Sequence, residues 1–402
     1  MNYKSYLVKK ERIKNNYSIE DLAKIANTSK SHISRIENGR ILSDDIANIL
    51  LDKLRISFID DNIIKNKLDE YYLAIVYCQS KHVETLFNDI NSKENIIIYS
   101  NDGPYYYICC LIHAIVVENN LNNAKQLVEM LEDLKNNDVL DNYLLQIYLD
   151  YKGLYYQSIK DFDKAEKNLV SALNISNNSI TKAMIYYHLT SCYYDQNNFI
   201  DAISANEEAS KLFTKDLNSE RSIFTQLHKA NIFSRMKCYK KAISLYENKL
   251  SLYQKNKHIQ PIIVQKIRSR IGWNYIQIKE YDKALKIINE NICEDIVLDE
   301  DYFNMCYLLY KMDDLDKMKA FIAKIPDSIN DSCKNRIAAF ALINNLDEAI
   351  DYAIKMSNDD ISKQDIEFYY CFIQEMAEIA IVEKKPSLEG NTMSTVLAPK
   401  KK

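Results

Sequence analysis

Residues 18 to 40 read SIEDLAKIANTSKSHISRIENGR, and this stretch decides the fold of the N-terminal part of the chain. Ser18 and Asp21 form a Ser-x-x-Asp capping box, in which each side chain meets a backbone amide that the first helical turn leaves unpaired. A helix starts there. Ala23 is small where that helix must cross a second one, and Asn27 stands where the chain must pass through a left-handed turn that asparagine tolerates. Ser29 then caps a second helix, whose Ile33 and Ile36 face inward three residues apart. Lys30, Ser31, His32 and Arg35 are left on the outside, near its N-terminal end.

Working outward, residues 4 to 15 supply a preceding helix. Another begins near Ser43, where Asp44 and Asp45 suit the N-terminal end of the helix dipole. The block resembles the Xre/lambda-repressor class of helix-turn-helix domains in Tyr17-Ser18, Leu22-Ala23, Ser29, Ser31, Ile33-Ser34, Ile36-Glu37 and Gly39. That resemblance covers about residues 4 to 56. It implies a lambda-repressor-like DNA-binding domain over 1–56 and double-stranded promoter DNA as partner. It places Lys30, Ser31 and Arg35, with His32 beside them, at base-reading positions, and Asn38 and Arg40 against the phosphate backbone. Two residues depart from the pattern. Ile19 replaces a Gln that anchors a phosphate, and Asn27 replaces a Gly.

Charge divides along the same line. Residues 1–56 hold eleven Lys and Arg against seven Asp and Glu, while the remainder holds 41 against 49. A basic head on an acidic body suits a DNA-binding domain joined to a domain with another task. The nine Cys show no CxxC spacing, which predicts reduced thiols in a cytoplasmic protein. The apolar run from Ile108 to Val117 is interrupted by His113 and falls well short of the ~20 residues that span a bilayer. Only five Gly and five Pro occur, which predicts an almost entirely helical body.

That body repeats. In YLDYKGLYYQSIKDFDKAEKNLVSALNIS, small Gly153, Tyr156, the turn at Lys160-Asp161, Phe162 and Ala165 follow the tetratricopeptide pattern. Ala124, Ala165, Ala202, Ala242 and Ala284 align on one phase, with weaker equivalents at Met318 and Ala349. Small Gly153, Thr190, Ala230 and Gly272 lie twelve residues before four of these alanines, where the two helices of a unit must pack closely. The expected fold class is all-α, a helix-turn-helix domain followed by a tetratricopeptide-type right-handed α-solenoid of about seven hairpins. Residues 57–80 are expected as a helical connection, 81–384 as the repeat domain with a capping helix over 364–384, and 385–402 as a disordered tail.

HExxH, GxGxxG, P-loop and GxSxG motifs are all absent, and the six His are scattered. The expectation is therefore no enzyme, no cofactor, no metal site and no catalytic residue. The acidic pairs Asp60-Asp61, Asp313-Asp314 and Asp359-Asp360 read as caps and turns. Thirty Tyr suggest a stacking surface for single strands, but most fall at repeat-packing positions in an acidic body.

In helical-hairpin solenoids the first helix of each unit lines the concave face. Counting from the small residue places Leu154, Gln157, Ser158, Ser191, Tyr194, Asp195, Asn231, Ser234, Arg235, Trp273, Ile276 and Gln277 inward. Asp150, Tyr187 and Ser269 follow one turn earlier. Amides, hydroxyls, an Arg and aromatic rings suit an extended peptide, since Asn and Gln pair with both donor and acceptor of a peptide bond. Head and body together resemble the RRNPP regulators, which include PlcR, PrgX and Rgg proteins. The resemblance implies a cytosolic homodimer that binds promoter DNA under control of a short imported signalling peptide, with sporulation and toxin genes as narrower expected targets. It also implies an Asn on a repeat helix against the peptide backbone, and Asn231 is the match. A repressor whose body only dimerises, or an adaptor whose body grips another protein, stays open.

Overall fold

The computed structural model describes residues 2–40, 44–59, 64–216, 218–255, 261–293, 297–326, 380–389 and 392–399. The head holds α1 (Tyr3–Lys14), α2 (Ile19–Ile25), α3 (Lys30–Glu37) and α4 (Asp44–Lys53). Leu22, Ile33, Ile36, Leu50 and Leu51 close its interior.

The body continues with α5 (Lys65–Val76), α6 (Ser80–Asn91), short α7 (Glu94–Ile97), α8 (Gly103–Val116), α9 (Leu121–Asn136), α10 (Asn142–Ser158) and α11 (Phe162–Ile175). Then come α12 (Ser179–Asp195), α13 (Phe199–Lys215), α14 (Ser219–Arg235) and α15 (Tyr239–Lys255). Among the described residues the last helices are α16 (Pro261–Gln277), α17 (Tyr281–Ile292), α18 (Asp299–Lys311) and α19 (Leu315–Ile322). The chain packs as two units, Met1–Ile232 and Phe233–Lys402. In the first, one apolar core runs from Tyr3 of α1 to Phe213 of α13; in the second, a core runs from Ile276 to Met318.

The repeat is written in the turns. Cys78, Asn119, Lys160, Asn197, Lys237, Lys279 and Asp313 are each left-handed, with φ between 51° and 64°. Each lies five residues before a buried small or apolar side chain: Val83, Ala124, Ala165, Ala202, Ala242, Ala284 and Met318. The phase drawn from the alanines therefore holds, and it begins one unit earlier than expected, at Val83. Helix α5 is the first helix of a hairpin. Its Leu68, Tyr71, Tyr72 and Val76 are buried in the body's core, so the connection expected over 57–80 is a repeat helix from residue 65 on. The reason is its continuous apolar face, which a bare connecting rod would leave in water. Ala349 and residues 364–379 lie outside the described residues.

Close helix crossings account for the small residues. A Cβ on Gly153 would stand 2.6 Å from Leu169 Cγ and 3.1 Å from the Ala165 carbonyl oxygen, and one on Gly272 2.7 Å from Ile288 Cγ1. The C-terminal expectation is corrected. Residues Ala380–Glu389 and Thr392–Pro399 pair as antiparallel strands β1 and β2, in register from Ala380 with Pro399 to Glu389 with Thr392. Ile381 and Val382 on one side and Thr395 and Val396 on the other favour extended backbone. The register shifts between Val382 and Ser387, a span containing Pro386, which has no N–H to give to a ladder. A capping helix reaching 384 is thereby excluded for residues 380–384.

Candidate functional site

The head's local chemistry follows the sequence reading closely. Ser18 Oγ accepts from the Asp21 amide at 3.0 Å while the Asp21 carboxylate accepts from the Ser18 amide at 2.9 Å, and Asn27 turns at φ 52°. Ser29 Oγ accepts from the His32 amide and starts α3. On that helix Lys30, Ser31 and Arg35 are exposed together, and Arg40 is exposed beyond its end. Two polar residues are partly committed elsewhere. His32 Nδ1 lies 3.0 Å from Thr28 Oγ1, and Asn38 Nδ2 donates to the Ser34 carbonyl at 2.6 Å, closing the last turn of α3.

What aims α3 is an ion pair that the sequence reading did not pick out. Buried Glu37 accepts from Arg12 Nε at 2.6 Å and Nη2 at 2.9 Å, a two-pronged contact that fixes α3 against α1. The Arg12 guanidinium also donates to the Tyr17 carbonyl at 2.8 Å. Helix α1 is in turn docked on the body. Tyr3 Oη donates to the Ile98 carbonyl, Tyr6 Oη to Asp133, and the Tyr3 ring occupies the space a side chain at Gly103 would need. The chain leaving the head is pinned to the same place: the Ile59 amide donates to the Tyr99 carbonyl, and Ile59 bridges to Ser100.

Within the first unit, the expected groove residues separate into two clusters. Gln157 of α10 donates to Ser191 Oγ at 2.8 Å and Asp195 Oδ2 at 2.7 Å on α12, and its own buried Oε1 has no hydrogen-bond partner. Asp150 is fully buried and 2.8 Å from His188 Nδ1. Beside it the Tyr187 ring stacks on His228 at 4.6 Å and lies 4.9 Å beneath the guanidinium of Arg221. Burial, followed by the charges of Arg221 and His188, holds His228 down at about 4, so this imidazole is neutral at pH 7. The buried hydroxyls of Tyr72 and Tyr151 have no hydrogen-bond partner. Tyr194 and Asn231 are half-buried on α12 and α14, with Tyr194 edge-on to Phe199.

Arg235, Trp273 and Gln277 belong to the second unit, each half-buried. Trp273 stacks on Tyr307 at 5.3 Å and packs near Phe303, and Ile276 is buried in the same core. Ser269 is buried and accepts from Asn304 Nδ2 at 3.0 Å, and Ser158 donates back to the Leu154 carbonyl. These last three serve packing or their own helix. Arg221, His228 and Glu37 with Arg12 were missed, because their roles depend on partners remote in sequence. Among the described residues no cluster of His, Cys, Asp and Glu has the makings of a metal site, and no helix is long and apolar enough to cross a membrane.

Residues 8–60 match the helix-turn-helix family. The head is a helix-turn-helix domain. No curated relative matches the chain by sequence. By structure, the chain is similar to a Rap protein complexed with competence and sporulation factor, at 14% identity and a TM-score of 0.63, covering 79% of this chain and 92% of that one. It is also similar to the apo quorum sensor NprR from B. thuringiensis, at 15% identity and a TM-score of 0.58, covering 78% and 98%. NprR in complex with its cognate peptide NprX gives 16% identity, a TM-score of 0.55, and coverage of 79% and 100%. The repeats behind the helix-turn-helix head thus have the fold of Rap and NprR.

Proposed function

We propose that the protein is a sequence-specific transcription regulator of the RRNPP type. Its helix-turn-helix head binds double-stranded promoter DNA as one half of a homodimer, and its repeat helices bind a short imported signalling peptide that changes that binding. The observation that carries this reading is an exposed α3 face of Lys30, Ser31 and Arg35 joined to a body with the fold of NprR, a protein solved with its cognate peptide. Base reading falls to that face, with His32 beside it and Asn38 and Arg40 toward the phosphates. In the first unit, α10, α12 and α14 supply the peptide contacts. Asn231 pairs the peptide backbone, Gln157 with Ser191 offers a second amide contact through its unpaired oxygen, and Tyr187 and Tyr194 shelter apolar side chains. The regulator works in the cytoplasm without catalysis, with sporulation and toxin genes as expected targets.

The test is calorimetric titration with synthetic peptides taken from small reading frames beside the gene, on the wild type and on Asn231→Ala. Losing a buried amide partner costs about 1–3 kcal/mol, so the variant is expected to bind the cognate peptide roughly tenfold more weakly or worse, with peptide-free folding unchanged. Binding to the promoter duplex is then measured with and without that peptide. Equal affinities for both proteins would remove Asn231 from the site. If no peptide binds the wild type, the body serves dimerisation or another protein partner.

A further inference from the structure

We infer that Arg221 is a positioning residue that braces α14 against α5 and so couples the proposed peptide-contact helix to the DNA-binding head. Arg221 Nε donates to the Val76 carbonyl at 2.8 Å and Nη2 to the Ile75 carbonyl at 2.8 Å, across 145 and 146 residues of sequence. The neighbouring Asn218 amide donates to the same Val76 oxygen at 3.4 Å, and Asn218 Oδ1 accepts from the Arg221 backbone amide. Two of the last carbonyls of α5, the negative end of its dipole, are thus taken up by one planar cation. That cation is held flat by the Tyr187 ring, itself stacked on His228 of α14.

The geometry carries the link further on both sides. At its far end α5 is tied through the Ile64 amide, which donates to Asp102 Oδ2, next to Gly103 and the segment 98–100 that receives Tyr3 and Ile59. From Tyr3, α1 runs to Arg12 and its pair with Glu37 at the end of the reading helix. On the other side, α14 carries Asn231 two to three turns beyond Arg221. Each link is a hydrogen bond or a close packing contact, so a ligand that shifts α14 meets the end of α5 through the Arg221 fork, with Asn218 beside it on the same Val76 carbonyl. Lys is a poor substitute, because one ammonium on a flexible stem does not reproduce a fork aimed at two carbonyls.

This rests on the peptide reading only for what shifts α14; the brace itself is testable with the protein alone. Hydrogen–deuterium exchange would be followed on the full-length wild type, Arg221→Lys and Arg221→Ala, without any ligand. Both variants are expected to speed exchange at least tenfold in 72–79 and in 98–103 with residues 3–8 of α1, while helices between 261 and 322 keep wild-type rates. Arg221→Lys retains the charge and keeps the test valid if Arg221→Ala does not fold. Faster exchange confined to 218–228, or spread evenly over the chain, would overturn the brace. A failed peptide titration beside the expected exchange pattern would remove the peptide reading and leave the mechanical link standing.

Discussion

His228 shows how a single residue takes its chemistry from its neighbours. A solvated imidazole titrates near 6.5, but burial between Tyr187 and Arg221 holds this one at about 4. Below 6.5 the unfolded chain gains a proton that the folded chain refuses, so the stabilisation is complete above that value. It is lost as the pH falls toward 4, where the folded form begins to accept the proton too. A shift of that size corresponds to about 3 kcal/mol. Urea unfolding at pH 7 and pH 4.5 is expected to show wild type losing about 2–3 kcal/mol more than His228→Gln over that interval; equal losses would place His228 in water. Nothing in the sequence around His228 announces this, whereas Ser18, Asn27 and Ser29 act through amides within three residues and were legible at once.

At the scale of the element, the hairpin turn is the recurrent device. Among the described residues seven hairpin turns use one left-handed residue, and none of the seven is glycine. A left-handed conformation costs a side-chain-bearing residue about 1–2 kcal/mol, which glycine largely avoids while losing about 0.5–1 kcal/mol of chain entropy. Exposed Lys279, at φ 64°, is a clear site for the exchange. Lys279→Gly is expected to raise stability by up to about 1 kcal/mol, read as a higher denaturant midpoint at unchanged slope, without altering the helix content. A fall in midpoint would mean that the lysine side chain contributes more than its backbone costs. The repeat phase was readable from the aligned alanines because each is a local steric demand. The first repeat, α5 with α6, escaped notice because Val83 replaces the alanine and Tyr71 the small residue.

For the whole first unit, the head is a docked part and not a swinging one. Tyr3, Tyr6 and Leu7 of α1 belong to the same apolar core as the repeat helices. A fragment of residues 1–56 uncovers that face, and as a lone head it buries too little surface on DNA for tight specific binding. The expected outcome is that the fragment binds promoter DNA weakly and without cooperativity, while the full chain sediments as a dimer. The full chain should also protect two half-sites about 34 Å, or a multiple of that, apart. Equal affinity of fragment and full chain at the same salt would count against both docking and dimeric reading.

The sequence by itself determined what depends on contacts a few residues apart: the caps and turn of the helix-turn-helix, the exposed face of α3, and the phase of the repeats at Gly153 and Gly272. Tertiary structure alone decided the pairing of Arg12 with Glu37, the seat of Tyr3 against Gly103, and the reach of Arg221 to Ile75 and Val76. The physical reason is the range of the interaction. A cap or a helix crossing within one hairpin selects residues at fixed spacing, so it leaves a pattern in the chain. A guanidinium meeting two carbonyls 145 and 146 residues away requires only that the intervening hairpins stack with the right pitch, and that pitch is a sum of many small packing choices that no single spacing records.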